Sequence, residues 1–130
     1  MCAVLAQEKP YQRFSTGEHG LAPAVTVALH LPASGRAIHG KRALLDTGCE
    51  VTQVYPRDVR INLSTDVEYD RETGLCALRV EVNGHLYAVR CAYEDHPCAG
   101  TEEMLIGMDI LEQWLVTLDG PRRLLSITQP

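Results

Sequence analysis

Residues 43–48 read Ala43-Leu44-Leu45-Asp46-Thr47-Gly48, an apolar run that delivers an acid onto a short loop containing glycine. The run is long enough for a strand, and a strand would fix the Asp46 backbone. Thr47 can hydrogen-bond across the loop, and Gly48 lets another chain approach closely. By itself the tripeptide also fits an ordinary Asx-type turn at a strand end. Two flanking features argue for more. Residues 51–55 read as a second short strand closed by Pro56. About sixty residues further on, Leu105-Ile106-Gly107-Met108-Asp109-Ile110-Leu111 reads as an apolar strand, a glycine and a helix.

The rest of the chain suits an all-β domain with one helix. From Ala24, the residues Val25, Val27, Leu29 and Leu31 alternate with Thr26, Ala28 and His30, the period of a half-buried strand. Pro32 to Gly35 is a turn leading into the 36–45 strand. Asn83-Gly84 suits a two-residue hairpin turn, because both residues tolerate positive φ. That turn sets Val82 opposite His85, Val80 opposite Tyr87, Leu78 opposite Val89 and Cys76 opposite Cys91. Residues 57–61 could form one helical turn, and 94–103 read as a loop. A helix over 108–114 would bury Ile110, Leu111 and Trp114 and turn Glu112 and Gln113 outward, with Asp109 favourably placed near its start. Strands follow at 115–118 and 124–128, either side of an Asp119-Gly120-Pro121 turn. Residues 1–23, with Pro10, Gly17, Gly20 and Pro23, read as an irregular arm with one short strand, which leaves 24–130 as the domain proper.

The two motifs, in this order and at this spacing, resemble the retropepsin-like family of aspartic proteases, and the resemblance spans about residues 24–128. It implies a closed, acid-protease-like β-barrel with a short C-terminal helix, working as a homodimer. Asp46 would be the catalytic acid. Thr47 would lock two active-site loops together, Gly48 would touch substrate backbone, and Gly107 would allow close packing beneath the loop. Glu50 stands where retroviral relatives carry an acid that grips substrate backbone. Their partner arginine is replaced here by Met108. A mobile hairpin, the flap, is best sought in 66–80, with Thr73-Gly74 near its tip and in reach of substrate.

Such chemistry requires two carboxylates sharing one proton. None of Asp58, Asp66, Asp70, Asp95, Asp109 and Asp119 repeats the Asp-Thr/Ser-Gly pattern. The second acid must therefore come from a second copy, with Leu124 to Thr128 as a candidate interface edge. The resemblance thus implies an endopeptidase acting on peptides or proteins without a metal or cofactor. The rival readings are a silent protease-like module that dimerises and binds peptides, and a plain β-barrel with a coincidental Asp-Thr-Gly. A Cys49 nucleophile has no evident histidine partner in sequence.

Composition narrows the setting. The chain has 130 residues, which fits one domain. Apolar residues make up 45% and charged residues 22%, as in ordinary globular proteins, while the single Phe leaves the core to Val, Leu, Ile and Ala. The net charge is -5 and no basic stripe stands out, which argues against nucleic acid as a partner. No apolar stretch approaches a membrane span. The first ten residues do not resemble a secretory signal. Five cysteines, an odd count without C-x-x-C, point to a reducing, cytoplasmic setting rather than a disulfide framework. Cys91, His96 and Cys98 are close in sequence but lack a fourth zinc ligand, and idle thiols are the simpler reading.

Overall fold

In the computed structural model of the chain, residues 7–13, 21–55, 59–93 and 104–130 are described. They form β1 (Gln7–Pro10), β2 (Gln12–Arg13), β3 (Leu21–Ala22), β4 (Ala24–Leu31), β5 (Arg36–Leu45), β6 (Gln53–Val54), β7 (Glu68–Asp70), β8 (Leu75–Val82), β9 (His85–Tyr93), β10 (Met104–Ile106), α1 (Met108–Leu111), β11 (Leu115–Asp119) and β12 (Leu124–Thr128). Six strands, β4-β5-β10-β6-β9-β8, close into a barrel through the β4–β8 pairing.

The β8–β9 hairpin has the register that its turn dictates. Asn83 and Gly84 adopt φ 51° and 81°, and Val82 faces His85, Val80 faces Tyr87 and Leu78 faces Val89. Cys76, Leu78, Val80 and Val82 are buried, while Arg79 faces solvent. Cys76 and Cys91 meet across this pair as free thiols, with Sγ atoms 3.5 Å apart. Closure of the barrel bends β4. Its register against β5 slips between Val27 and Leu29, and Gly40 at φ 70° supplies the extra residue of a bulge. The slip adjoins Ala28 to His30, where β4 turns to pair with β8.

The core is aliphatic, as the composition requires. Leu29, Leu31, Leu78, Leu105, Ile106, Ile110, Leu125 and Ile127 are all fully buried, with Tyr55 and Met104 filling the wider gaps. Helix α1 is shorter than its pattern suggests. Residues 112–114 continue as a tighter turn, with Gln113 and Trp114 N–H groups donating to the carbonyls of Ile110 and Leu111. The expected faces are nonetheless right: Ile110, Leu111 and Trp114 are buried, and Glu112 and Gln113 are exposed. Of the 51–55 strand, only Gln53–Val54 enters the ladder. The proposed helical turn at 57–61 and the 94–103 loop lie wholly or partly outside the described residues.

The chain ends pack differently from the expectation. The described residues of the N-terminal segment form three short strands rather than one, and β1 pairs with β12 in a separate sheet of order β1-β12-β11. Leu124–Thr128 is therefore the central strand of that sheet and not an exposed edge, with Leu125 and Ile127 fully buried. The two edges of the sheet are β1 and β11. Polar groups join this sheet to the barrel. Buried Gln129 donates from Nε2 to the Val82 carbonyl at 3.2 Å and to the Tyr87 hydroxyl at 2.6 Å. Trp114 Nε1 donates to the same hydroxyl at 2.8 Å. Among the described residues, no helix is long and apolar enough to cross a membrane.

One ion pair fixes the 59–66 crossing. Arg36 donates to the buried Asp66 carboxylate at 2.8 Å and to the Arg60 carbonyl at 2.7 Å, and the Asn62 N–H donates to Asp66 at 2.7 Å. These bonds, the Arg36 guanidinium first, hold the Asp66 carboxyl far below the usual carboxylate range. A depressed folded pKa stabilises the fold above the unfolded value of about 4, and that contribution is lost as pH falls below it. We therefore expect Asp66→Asn to be less stable than wild type at pH 7 and to lose less stability between pH 5 and pH 3. Urea midpoints at the three pH values measure this, and equal pH slopes would contradict it.

Candidate active site

β5 and β10 run parallel, with Leu44 beside Leu105 and Leu45 beside Ile106. Parallel strands end at the same side of a sheet, so Asp46 and Gly107 emerge next to each other although 61 residues separate them in sequence. The Asp46 N–H donates to the Ile106 carbonyl at 3.0 Å and continues the ladder by one step. The loop then folds back on itself. Gly48 N–H donates to Asp46 Oδ1 at 2.9 Å, and Cys49 N–H donates to the Asp46 carbonyl at 3.3 Å. The Asx-type turn is thus present, and it is compatible with a reactive acid. It orients the carboxylate through one oxygen, while the other takes no hydrogen bond from any described residue.

The far arm of the loop is stitched to the start of α1. Met108 and Asp109 N–H groups donate to the carbonyls of Cys49 at 2.7 Å and Glu50 at 3.1 Å. Gly107 lies at the crossing, where a β-carbon would stand 2.6 Å from the Val51 carbonyl carbon, 2.7 Å from its oxygen and 2.9 Å from the Cys49 oxygen. Those atoms are backbone and cannot move aside. Close approach, rather than an unusual dihedral, is why glycine is required here.

Asp46 is half-buried, and Thr47 and Gly48 are exposed. Thr47 lines an apolar groove of about 390 Å³ together with Pro23, Leu45, Met108, Trp114 and Leu118. Glu50 is exposed, and no ion pair among the described residues involves it. Met108 lines the groove. Thr73 and Gly74 belong to a different unit. They lie in the turn between β7 and β8, a hairpin that pairs Glu68 with Ala77 and Asp70 with Leu75. Gly74 has φ 73° and donates its N–H to the Asp70 carbonyl, and Thr73 Oγ1 accepts from the Leu75 N–H, so their hydrogen bonds stay within the hairpin. The structure therefore brings Asp46, Thr47, Gly48, Glu50 and Gly107 together, and leaves Thr73 and Gly74 on their own hairpin. No group of three or more possible metal ligands occurs among the described residues, which do not include His96 and Cys98.

Two residues of this site escaped the sequence reading. Thr52 is fully buried and donates from N and Oγ1 to the Asp109 carboxylate at 2.9 and 2.8 Å. Thr52 Oγ1 in turn accepts the Gly107 N–H at 3.3 Å. Thr52 looks like a strand residue in sequence, and Asp109 like a helix-start residue. Nothing local joins two positions 57 residues apart.

No family model matches the chain, and no curated protein matches it. Solved structures do. A retropepsin-like aspartic protease from Rickettsia conorii superposes with TM-score 0.57 at 14% identity, over 99% of this chain and 96% of that one. The fold is retropepsin-like. EIAV protease complexed with the inhibitor HBY-793 also matches, with TM-score 0.45 and 16% identity over 70% of this chain and 86% of that one. In this chain's retropepsin-like barrel, Asp46 lies where β5 leaves the sheet, over the crossing that Gly107 permits. Gly107→Ala is expected to lower stability by about 3 kcal/mol, the upper end of overpacking costs, because backbone must shift. Urea unfolding tests this, and a loss below about 1 kcal/mol would show that the crossing has slack.

Proposed function

We propose that this chain is one protomer of a homodimeric aspartic endopeptidase in which two Asp46 carboxylates activate water. The observation that carries the reading is the Asp46 carboxylate itself. One oxygen is held by Gly48 N–H, the other is unengaged among the described residues, and the loop is pinned to the barrel.

Two carboxylates about 3 Å apart cannot both ionise, so they titrate as a coupled pair sharing one proton. The ionised member takes a proton from water as the water oxygen bonds to the peptide carbonyl carbon. The protonated member gives its proton to the carbonyl oxygen. Collapse of the tetrahedral intermediate breaks the C–N bond, and the amine leaves with a proton from the pair. No metal or cofactor enters these steps. Gly48 would lie against substrate backbone, Glu50 would accept from substrate N–H groups, and the β7–β8 hairpin with Thr73-Gly74 would cover the peptide. Apolar residues on either side of the cut suit the aliphatic surroundings.

The second copy would meet the first along β11. That strand is one of the two edges of its sheet, and it is the edge that carries exposed leucines: Leu115 and Leu118 are 68% and 55% exposed. The groove beside it contains Thr47, so a copy seated there would reach the neighbour of the catalytic acid. Such a contact is isologous and closes on itself. A silent peptide-binding dimer is the second reading, favoured by Glu50 without an ion-pair partner among the described residues and by Met108 where the family carries arginine.

Asp46→Asn is expected to abolish cleavage of apolar peptides while leaving the fold and dimer intact, and activity in that variant would remove Asp46 from the mechanism. A dimeric wild type that binds such peptides but never cuts them would favour the silent reading. Leu118→Arg is expected to weaken the dimer about 100-fold or more, since an unpaired charge buried at a contact costs about 3 kcal/mol or more. Specific activity should then fall on dilution at correspondingly higher concentration. Sedimentation across a dilution series reads this, and an unchanged association constant would move the seam away from β11.

A further inference from the structure

Asp109 has no part in the two-carboxylate chemistry, yet its side chain is the most heavily engaged group around the loop. Oδ2 accepts the Thr52 N–H at 2.9 Å, and Oδ1 accepts both the Thr52 hydroxyl at 2.8 Å and the Ile110 N–H at 3.0 Å. Its own N–H donates to Glu50, and its carbonyl accepts Gln113 Nε2 at 2.9 Å. The carboxylate thus grips Thr52 at two points, as a fork. Thr52 is fully buried, and through its hydroxyl it also receives the N–H of Gly107.

We propose that Asp109 is a positioning residue for Asp46, acting through Thr52. The loop leaves β5 at Asp46 and returns to the sheet at Gln53. Its first end is fixed by the Asp46 N–H on Ile106. Its far end reaches the same element through residues 49–52 and their bonds to 107–109, and the Thr52 carbonyl also accepts the Ala92 N–H of β9 at 2.9 Å. The backbone bonds at Cys49 and Glu50 set the spacing. The Ala92 bond holds the Thr52 carbonyl, and the two-point grip on the Thr52 N–H and hydroxyl fixes the orientation that this single bond leaves free. Without the grip, the 49–52 arm can roll about the Gly107 crossing and carry Gly48, whose N–H aims the Asp46 carboxylate. The ionised form suits the role, since three donors converge on two oxygens. An amide would keep the Thr52 N–H bond and could donate to the Thr52 hydroxyl, but it would lose the Ile110 N–H as donor partner.

This inference rests on the endopeptidase reading, and the experiment separates the two. Cleavage of an apolar peptide is measured for wild type, Asp109→Asn, Asp109→Ala, Thr52→Val, Thr52→Ser and the Thr52→Val/Asp109→Ala double variant. The fold and dimer of each are checked, as is the affinity for a hydroxyl-containing peptide mimic of the tetrahedral intermediate. Misplacement of the reacting group should appear in kcat, about 100-fold lower for Asp109→Ala, with KM within about threefold of wild type. Affinity for the mimic should fall in step with kcat/KM. Asp109→Asn should recover to within about tenfold of wild type, and Thr52→Ser, which keeps the hydroxyl, nearly completely. The double variant should lose little more than the worse single one, because both act through one link. Wild-type kcat in folded, dimeric Asp109→Ala would overturn the proposal, as would a loss confined to KM or losses that multiply in the double variant. If Asp109→Ala does not fold, equal kcat in Thr52→Val and Thr52→Ser overturns it instead. An inactive wild type, or an active Asp46→Asn, removes the endopeptidase reading and this inference with it.

Discussion

The parallel pairing of β5 with β10 is the constraint on which the rest of the site depends. Three register pairs, from Met104 beside Ala43 to Ile106 beside Leu45, bring two remote segments to a common end of the sheet. Parallel neighbours cannot be joined by a tight turn, so the intervening chain must travel round the barrel to return. It does so through β6, β7, β8 and β9, of which β6, β8 and β9 belong to the barrel and β8 closes it against β4. The closed core and the meeting of Asp46 with Gly107 therefore follow from one topological fact. All three residues of β10 are fully or nearly fully buried, so the pairing is also defended by burial of apolar surface.

Much of this was legible in the chain. The β8–β9 hairpin could be read to the residue because a two-residue turn with positive φ admits one register, and alternation from Cys76 to Val82 agrees with it. β12 could be bounded at Leu124 and Thr128 because a turn and alternating burial mark it. Asp46, Thr47 and Gly48 were recognisable from an apolar strand running into glycine, and their link to Gly107 from the order of the two motifs. The limits were equally physical. A strand's neighbours are set by tertiary pairing, so nothing in Leu124 to Thr128 says that β1 and β11 flank it. The two-residue length of β6 reflects where the loop lets go of the sheet, which local pattern does not encode. The Thr52–Asp109 grip joins residues whose local roles look complete without it.

Side-chain chemistry is divided between two ends of the molecule. Around the acid, backbone groups do most of the work: N–H donors from 46, 48, 49, 107, 108 and 109 define the loop, and few side chains intervene. Backbone bonds are short and rigid, which suits a group whose aim matters. On the opposite flank, the Arg36–Asp66 pair closes an irregular crossing by satisfying carbonyl and amide groups that no ladder reaches.

The polar joint at Gln129 has a consequence for how the molecule comes apart. Its amide ties the residue after β12 to the end of β8 and to a hydroxyl on β9, and that hydroxyl also receives the Trp114 indole. Loosening the terminal sheet would strand several buried donors and acceptors at once, so it has no inexpensive first step. Sheet and barrel are therefore expected to open as one cooperative block. A surface built on β11 would accordingly inherit the rigidity of the barrel.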